Sequence, residues 1–254
     1  MKRIVIIGLL SLCAAGAYAQ GTLVFGNNTP GTIVTHIWSP DSVTPDVQIT
    51  GNTATDTPAG TATYPHSVMI GGSSGAAGTP INYSFGNNFT AQIYAAANIL
   101  NAAASSLTPV ASYVTTLSTT ANPGPGFIIL GNLSPDTGIP YAITLNDANN
   151  GTLDNKATIA VACWYNAGGT ITSLNDAKLA NVPWGESAAF NMRNLGEPSS
   201  IMTALNGAPT PASQAGNMTG LTSFSLVGPA VPEPTTIALG VMGACAFLAR
   251  RRKK

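Results

Sequence analysis

Charged side chains make up only 8% of this 254-residue chain, ten Lys and Arg against ten Asp and Glu, and their placement says more than their number. Seven of the ten cations lie at the two ends, as Lys2, Arg3 and residues 250–254. Between Gln20 and Ala230 only Lys156, Lys178 and Arg193 remain, against Asp41, Asp46, Asp56, Asp136, Asp147, Asp154, Asp176, Glu186 and Glu197: three minus nine, a net of minus six. A mildly acidic body with so few cations has no electrostatic footprint for nucleic acid, which is excluded as a partner.

Cysteine and histidine are nearly as scarce. Cys13 and Cys245 lie in apolar end segments, which leaves Cys163 alone in the body and rules out an intramolecular disulfide there. The two histidines, His36 and His66, stand in no metal-ligand spacing. Neither Gly71-Gly72 nor Gly168-Gly169 leads into Lys-Ser or Lys-Thr, which excludes a standard phosphate loop, and no serine occupies a Gly-x-Ser-x-Gly elbow. A carboxylate pair for glycoside hydrolysis would have to draw on Glu186 beside Trp184, and that residue reads more simply as a surface Glu at a strand entry. The sequence therefore predicts a non-catalytic protein without a cofactor. One loop has oxygen ligands around a Gly turn, Asp147, Asn149 and Asp154, but it lacks the closing bidentate Glu of an EF-hand, so a weak calcium loop stands beside an ordinary Asn-Gly turn as its reading.

What the body does contain is Gly, Ser, Thr, Asn and Pro between short Val, Ile, Tyr and Phe runs, the punctuation of many strands joined by turns. Strands are expected at 21–28, 32–38, 66–70, 110–117, 127–130, 141–145, 157–165, 184–192 and 221–227, with one edge strand at 47–49 in an otherwise looped stretch from 41 to 65. The strongest is 157–165, where Ile159, Val161 and Cys163 alternate with Ala160, Ala162 and Trp164. Residues 89–106 allow two readings, a strand with Phe89, Ala91, Ile93 and Ala95 on one face followed by a loop, or one alanine-rich helix. The fold class is mainly β, an antiparallel β-sandwich of the jelly-roll kind over residues 20–229, followed by a single transmembrane helix. An exposed row of Trp38, Trp164 and Trp184 would make a sugar-binding groove, but alternation places Trp164 inside.

Both ends read as targeting. Lys2 and Arg3 precede an apolar stretch from 4 to 15, and Ala17-Tyr18-Ala19 is a small-x-small cleavage site before Gln20, so residues 1–19 are a signal peptide for signal peptidase. Residues 230–254 contain Val231-Pro232-Glu233-Pro234, an uncharged apolar run over 235–249, and the cluster Arg250, Arg251, Arg252, Lys253 and Lys254. A helix over 235–249 would be about 22 Å long, short for a bilayer core unless the basic side chains snorkel, and the basic cluster would lie on the cytoplasmic side.

In order and position these three parts resemble the PEP-CTERM sorting signal of exported proteins of Gram-negative bacteria. The resemblance implies recognition by an exosortase-type membrane protease, removal of the material after the motif, and a mature protein at the cell surface or outside the cell, in association with exopolysaccharide. Patches of the body, Thr-Ala-Gln-Ile-Tyr at 90–94, Ala-Val-Ala-Cys-Trp-Tyr at 160–165, Trp-Gly-Glu-Ser-Ala-Ala-Phe at 184–190 and Phe-Ser-Leu-Val at 224–227, resemble a verrucomicrobial class of such anchored proteins. No catalytic residue is carried over from that class. Two functions follow from this reading: a non-catalytic surface or matrix protein, and as alternative a lectin-like or weak carbohydrate-active module.

Overall fold

In a computed structural model of the chain, residues 20–78, 80–97, 99–129, 142–146, 156–193 and 216–229 are described. The signal-cleavage residues Ala17 and Ala19, the loop with Asp147, Asn149 and Asp154, the sorting motif and the basic cluster lie outside them. Among the described residues no helix is long and apolar enough to cross a membrane, and the segment 235–249 is not one of them.

The protein is mainly β; among the described residues the sheets are mostly antiparallel, the helices are few and no sheet closes on itself. Its strands are β1 (Gln20–Val24), β2 (Asn28–Thr29), β3 (Ile33–Val34), β4 (Ile37–Trp38), β5 (Phe89–Ala97), β6 (Thr108–Thr116), β7 (Ala142–Asn146), β8 (Lys156–Tyr165), β9 (Trp184–Glu186), β10 (Phe190–Arg193), β11 (Gly216–Asn217) and β12 (Phe224–Ser225). Among the described residues one α-helix, α1 (Leu174–Leu179), follows β8.

The largest sheet is built on β8. Strand β5 pairs with it antiparallel over nine residues, from Phe89 opposite Tyr165 to Ala97 opposite Ala157, and β6 pairs with the far side of β5. Pro109 in β6 has no N–H to give a ladder, and it sits on an edge strand where none is demanded. On the other side of β8 run β9 and β10. The register moves by one residue between Ala162 opposite Glu186 and Ile159 opposite Phe190, a bulge at 187–189. Ser187 repairs the break: its N–H donates to the Val161 carbonyl at 2.8 Å and its Oγ accepts from the Val161 N–H at 3.0 Å.

Period-two alternation sorts this sheet onto two cores. Phe89, Ala91, Ile93 and Ala95 of β5 join Ile159, Val161 and Cys163 of β8 on one face, packed against Phe25, Ile33, Ile37, Ile70, Leu221, Phe224 and Leu226. On the opposite face Ala162 and Trp164 pack under Leu174 and Ala177 of α1. The alanines let the helix approach, and the Trp164 indole N–H donates to the Ile171 carbonyl at 3.1 Å. Ser173 caps α1 by accepting from the Asp176 N–H at 3.1 Å, and Lys178 stands in its last turn, both favourable to the helix dipole. Cys163 is fully buried, and that burial pushes its thiol up, away from reactivity.

Around this sheet the smaller pairings tie distant stretches together. β1 lies between β7, antiparallel, and β11, parallel. β12 runs parallel to β4, and β2 pairs with β3.

Several short runs form less strand than alternation predicts. Residues 47–49 make hydrogen bonds to Ser225 but no ladder, and 66–70 and the described part of 127–130, residues 127–129, contribute single bridges, Trp38 to Met69 and Leu117 to Ile128. For 89–106 the strand-then-loop reading holds, with only one 3-10 turn at Ala104–Ser106. The stretch 221–227 does not divide into two faces, Leu221, Ser223, Ser225 and Val227 opposite Thr222, Phe224 and Leu226, as alternation predicts. Leu221, Ser223, Phe224, Ser225 and Leu226 are all buried, because the segment is paired on one side with β4 and on the other with Ile49 and Thr50.

Asp41 ends β4's excursion with an Asx turn, its Oδ1 accepting from the N–H groups of Thr44 at 3.0 Å and Val43 at 2.7 Å. These two bonds, Thr44 first, hold its carboxyl below the ordinary 3.8 against the opposing effect of burial. A depressed folded pKa contributes stability that is present above the ordinary value and is lost as pH falls through the folded one. Asp41→Ala is therefore expected to lower stability at neutral pH and to flatten its decline below pH 3.8, as read by thermal unfolding across an acid series; an acid limb identical to the parent's would refute the assignment.

Candidate functional site

A polar cluster inside the fold joins three stretches that are remote in sequence. His36, between β3 and β4, directs Nδ1 at Oδ1 of Asp56, 2.6 Å away. A carboxylate only accepts, so Nδ1 carries the proton in this bond. Ser223 donates its Oγ–H to Oδ2 of Asp56 at 2.9 Å and accepts the His36 backbone N–H at 2.7 Å. Thr53 adds its N–H to the same Oδ2 at 2.6 Å, and Asn52 accepts the Ser223 N–H at 2.9 Å. All of Asn52, Asp56, His36 and Ser223 are buried.

The imidazole lies between Phe127, 4.6 Å from its centroid, and the backbone of Gly126. A Cβ at Gly126 would come within 3.0 Å of His36, and the residue has φ +81°, so both packing and backbone call for glycine. Trp38 stacks on Tyr64 at 4.7 Å with 5° between the planes. Burial, with the charge of Asp56 second, pushes the Tyr64 hydroxyl up, and that hydroxyl donates to the Gly51 carbonyl at 2.7 Å.

Ser, His and Asp are the residue types of acyl transfer, but their order differs here. A nucleophilic Ser must hand its proton to an imidazole that the Asp orients from behind. In this cluster the Asp is central, and both the hydroxyl and the imidazole donate to it. The arrangement can crosslink three segments, and it holds the Ser223 hydroxyl as a donor to carboxylate.

The sequence has no sign of this cluster. Partners 20 and 167 positions apart form no motif, and the Asn-Thr-Asp stretch around 52–56 reads as a solvated loop. Glu186, the acid named from sequence, stands at the surface, with Lys178 3.2 Å from its Oε2 and the Lys178 Nζ 4.3 Å from the Trp184 ring centroid. No group of three potential metal ligands occurs among the described residues.

Elsewhere a cleft of about 490 Å³ is lined by Gly26, Asn28, Ser118, Thr119, Thr120, Pro123, Ile128 and Ile129. Its volume suits a small ligand, and its walls offer hydroxyls and an amide but no charge. Three separate stretches build it, so no local pattern announces it.

Compared with protein-family models, with curated proteins and with solved structures, the chain matches none.

Proposed function

We propose that this chain is a non-catalytic exported protein of the cell surface or extracellular matrix, sorted through its C-terminal signal by an exosortase-type protease and held in the inner membrane before processing. The body is an antiparallel β-sandwich of the jelly-roll kind, and the shared core between the β8 sheet and the β4 and β12 segments supports that architecture. One observation carries the functional reading: the order of Val231-Pro232-Glu233-Pro234, the apolar run 235–249 and the five terminal cations, beginning two residues after Pro229. Pro234 has no N–H and biases Glu233 away from helical geometry, which suits a motif that a protease engages as extended chain.

The packing of aromatics favours display over sugar binding. Trp164 is fully buried, Trp38 is covered by Tyr64, and Trp184 lies under Lys178, so these rings make no exposed row. The uncharged, hydroxyl-lined cleft is what favours the second reading, a lectin-like module for neutral sugar, with the exopolysaccharide as its natural contact.

The test is the C-terminal mass of the mature protein from its native cells with the sorting system active. It should end near the Pro-Glu-Pro motif, and Glu233→Ala should leave membrane insertion unchanged while nearly all of the protein keeps its tail. A mature protein that still contains Cys245 and the basic cluster would remove the processing step.

A further inference from the structure

Four of the six large apolar side chains most exposed among the described residues are Val43 (67%), Val47 (51%), Val68 (57%) and Leu179 (78%). They come from three separate stretches, and all three meet where the chain leaves the fold. Gly228 donates its N–H to the Pro45 carbonyl at 2.6 Å, which places the turn bearing Val43 and Val47 against the exit. A Cβ on Gly228 would lie 3.4 Å from Pro40, next to Ser39, whose N–H donates to the Val68 carbonyl at 2.8 Å. Val227 exchanges both backbone hydrogen bonds with Trp184, at 2.7 and 3.1 Å, and Trp184 carries Lys178, the neighbour of Leu179, over its ring.

We infer that this apolar ring around the exit is the face on which the body rests against the phospholipid bilayer while the tail is anchored. The inference rests on the anchor reading above. Five residues separate Pro229 from Thr235, so the start of the apolar run can lie no more than about 20 Å from the fold. A body tethered that closely must present some face to the membrane, and the one around the tether exposes aliphatic side chains, with Lys178 over the half-buried Trp184, residue types favoured at such an interface. Asp46 places a carboxylate in the same turn, and Lys178 with Glu186 forms a neutral pair. The ring thus has no net positive charge, and its contact is apolar and gains nothing from anionic lipid.

The experiment uses the full chain, with Cys13 and Cys245 replaced by Ser, in phosphatidylcholine vesicles whose acyl chains carry a doxyl quencher. A fluorophore is placed in turn on Val43→Cys, Val47→Cys, Val68→Cys and Leu179→Cys, all exposed sites. Ile99→Cys is the comparison: its carbonyl accepts from Thr158, six residues along β8 from Trp164, the partner of Trp184, or roughly 20 Å away. Lipid quenching should be about threefold or more stronger at the ring than at Ile99, with or without phosphatidylglycerol. Equal quenching at all sites in a chain that still floats with the vesicles overturns the inference alone. Ring sites shielded from aqueous iodide yet unquenched by lipid would also overturn it, pointing to the tail folded over the ring. A chain that fails to float removes the anchor reading, and this inference with it.

Discussion

Asp56→Ala is expected to cost roughly 3–5 kcal/mol of stability, the range for removing one partner of a buried charged hydrogen-bond set. Three donors converge on that carboxylate, the His36 Nδ1–H, the Ser223 Oγ–H and the Thr53 N–H. Alanine leaves all three without their acceptor, and the loop 52–56 loses its carboxylate tie to His36 and Ser223. Ser223→Ala removes one donor and one acceptor and should cost about 1–2 kcal/mol. Asp56→Asn should fall between, since a single carbonyl oxygen cannot serve every donor. Urea unfolding followed by tryptophan fluorescence decides the matter, and an Asp56→Ala midpoint within the error of the parent's would mean the cluster is not a structural crosslink.

Gly86→Ala is expected to be as severe for a different reason. A Cβ there would lie 2.0 Å from the Ser118 carbonyl oxygen and 2.5 Å from that of Leu117, distances no real Cβ adopts. Both obstacles are backbone, at the end of β6, and Gly86 is itself fixed by its N–H to the Ser73 carbonyl at 3.0 Å. Relief requires prising the 73, 86 and 118 segments apart, at about 3 kcal/mol or more. The contrast is Gly31→Ala, where φ is +78° but nothing lies within 4 Å, so only the backbone conformation resists and the cost is about 1 kcal/mol. Unfolding midpoints of the two variants compare them directly, and equal values would show that the crossing at Gly86 yields easily. Because Ser118 lines the cleft, the same displacement reshapes that cavity.

The central sheet was legible because its strands have two faces of different character. In β5 and β8 large and small apolar residues alternate at period two, and each set meets its own core. β12 and its neighbours were not legible as they stand, because a segment flanked on both sides buries Ser223 and Ser225 as well as Phe224 and Leu226, and burial then leaves no alternation to read. The stretch 41–65 misleads in the opposite sense. Its Asn, Asp and Thr residues look solvated, yet Asp41, Asn52, Asp56 and Tyr64 turn inward, because their polar groups find partners in backbone N–H and C=O groups and in His36 and Ser223. Such pairing depends on the completed fold, and a linear pattern of residue types does not contain it.

Among the described residues both parallel strand pairs join an early strand to a late one, β1 to β11 and β4 to β12. Consider tension applied between residue 20 and residue 229, as when the tail is held and the body is dragged. Each early strand is drawn toward its own start and each late strand toward its own end, so in a parallel pair the two forces oppose along the strand axis. The hydrogen bonds from Phe224 and Leu226 to the carbonyls of His36 and Trp38 are then loaded together in shear, not opened one after another as in a zipper. On the flank, the paired bonds between Val227 and Trp184 and the bond from Gly228 to Pro45 take up the same pull before it reaches the core. The connectivity thus gives the C-terminal end a mechanical grip on the body, independent of how many kilocalories hold the fold at rest.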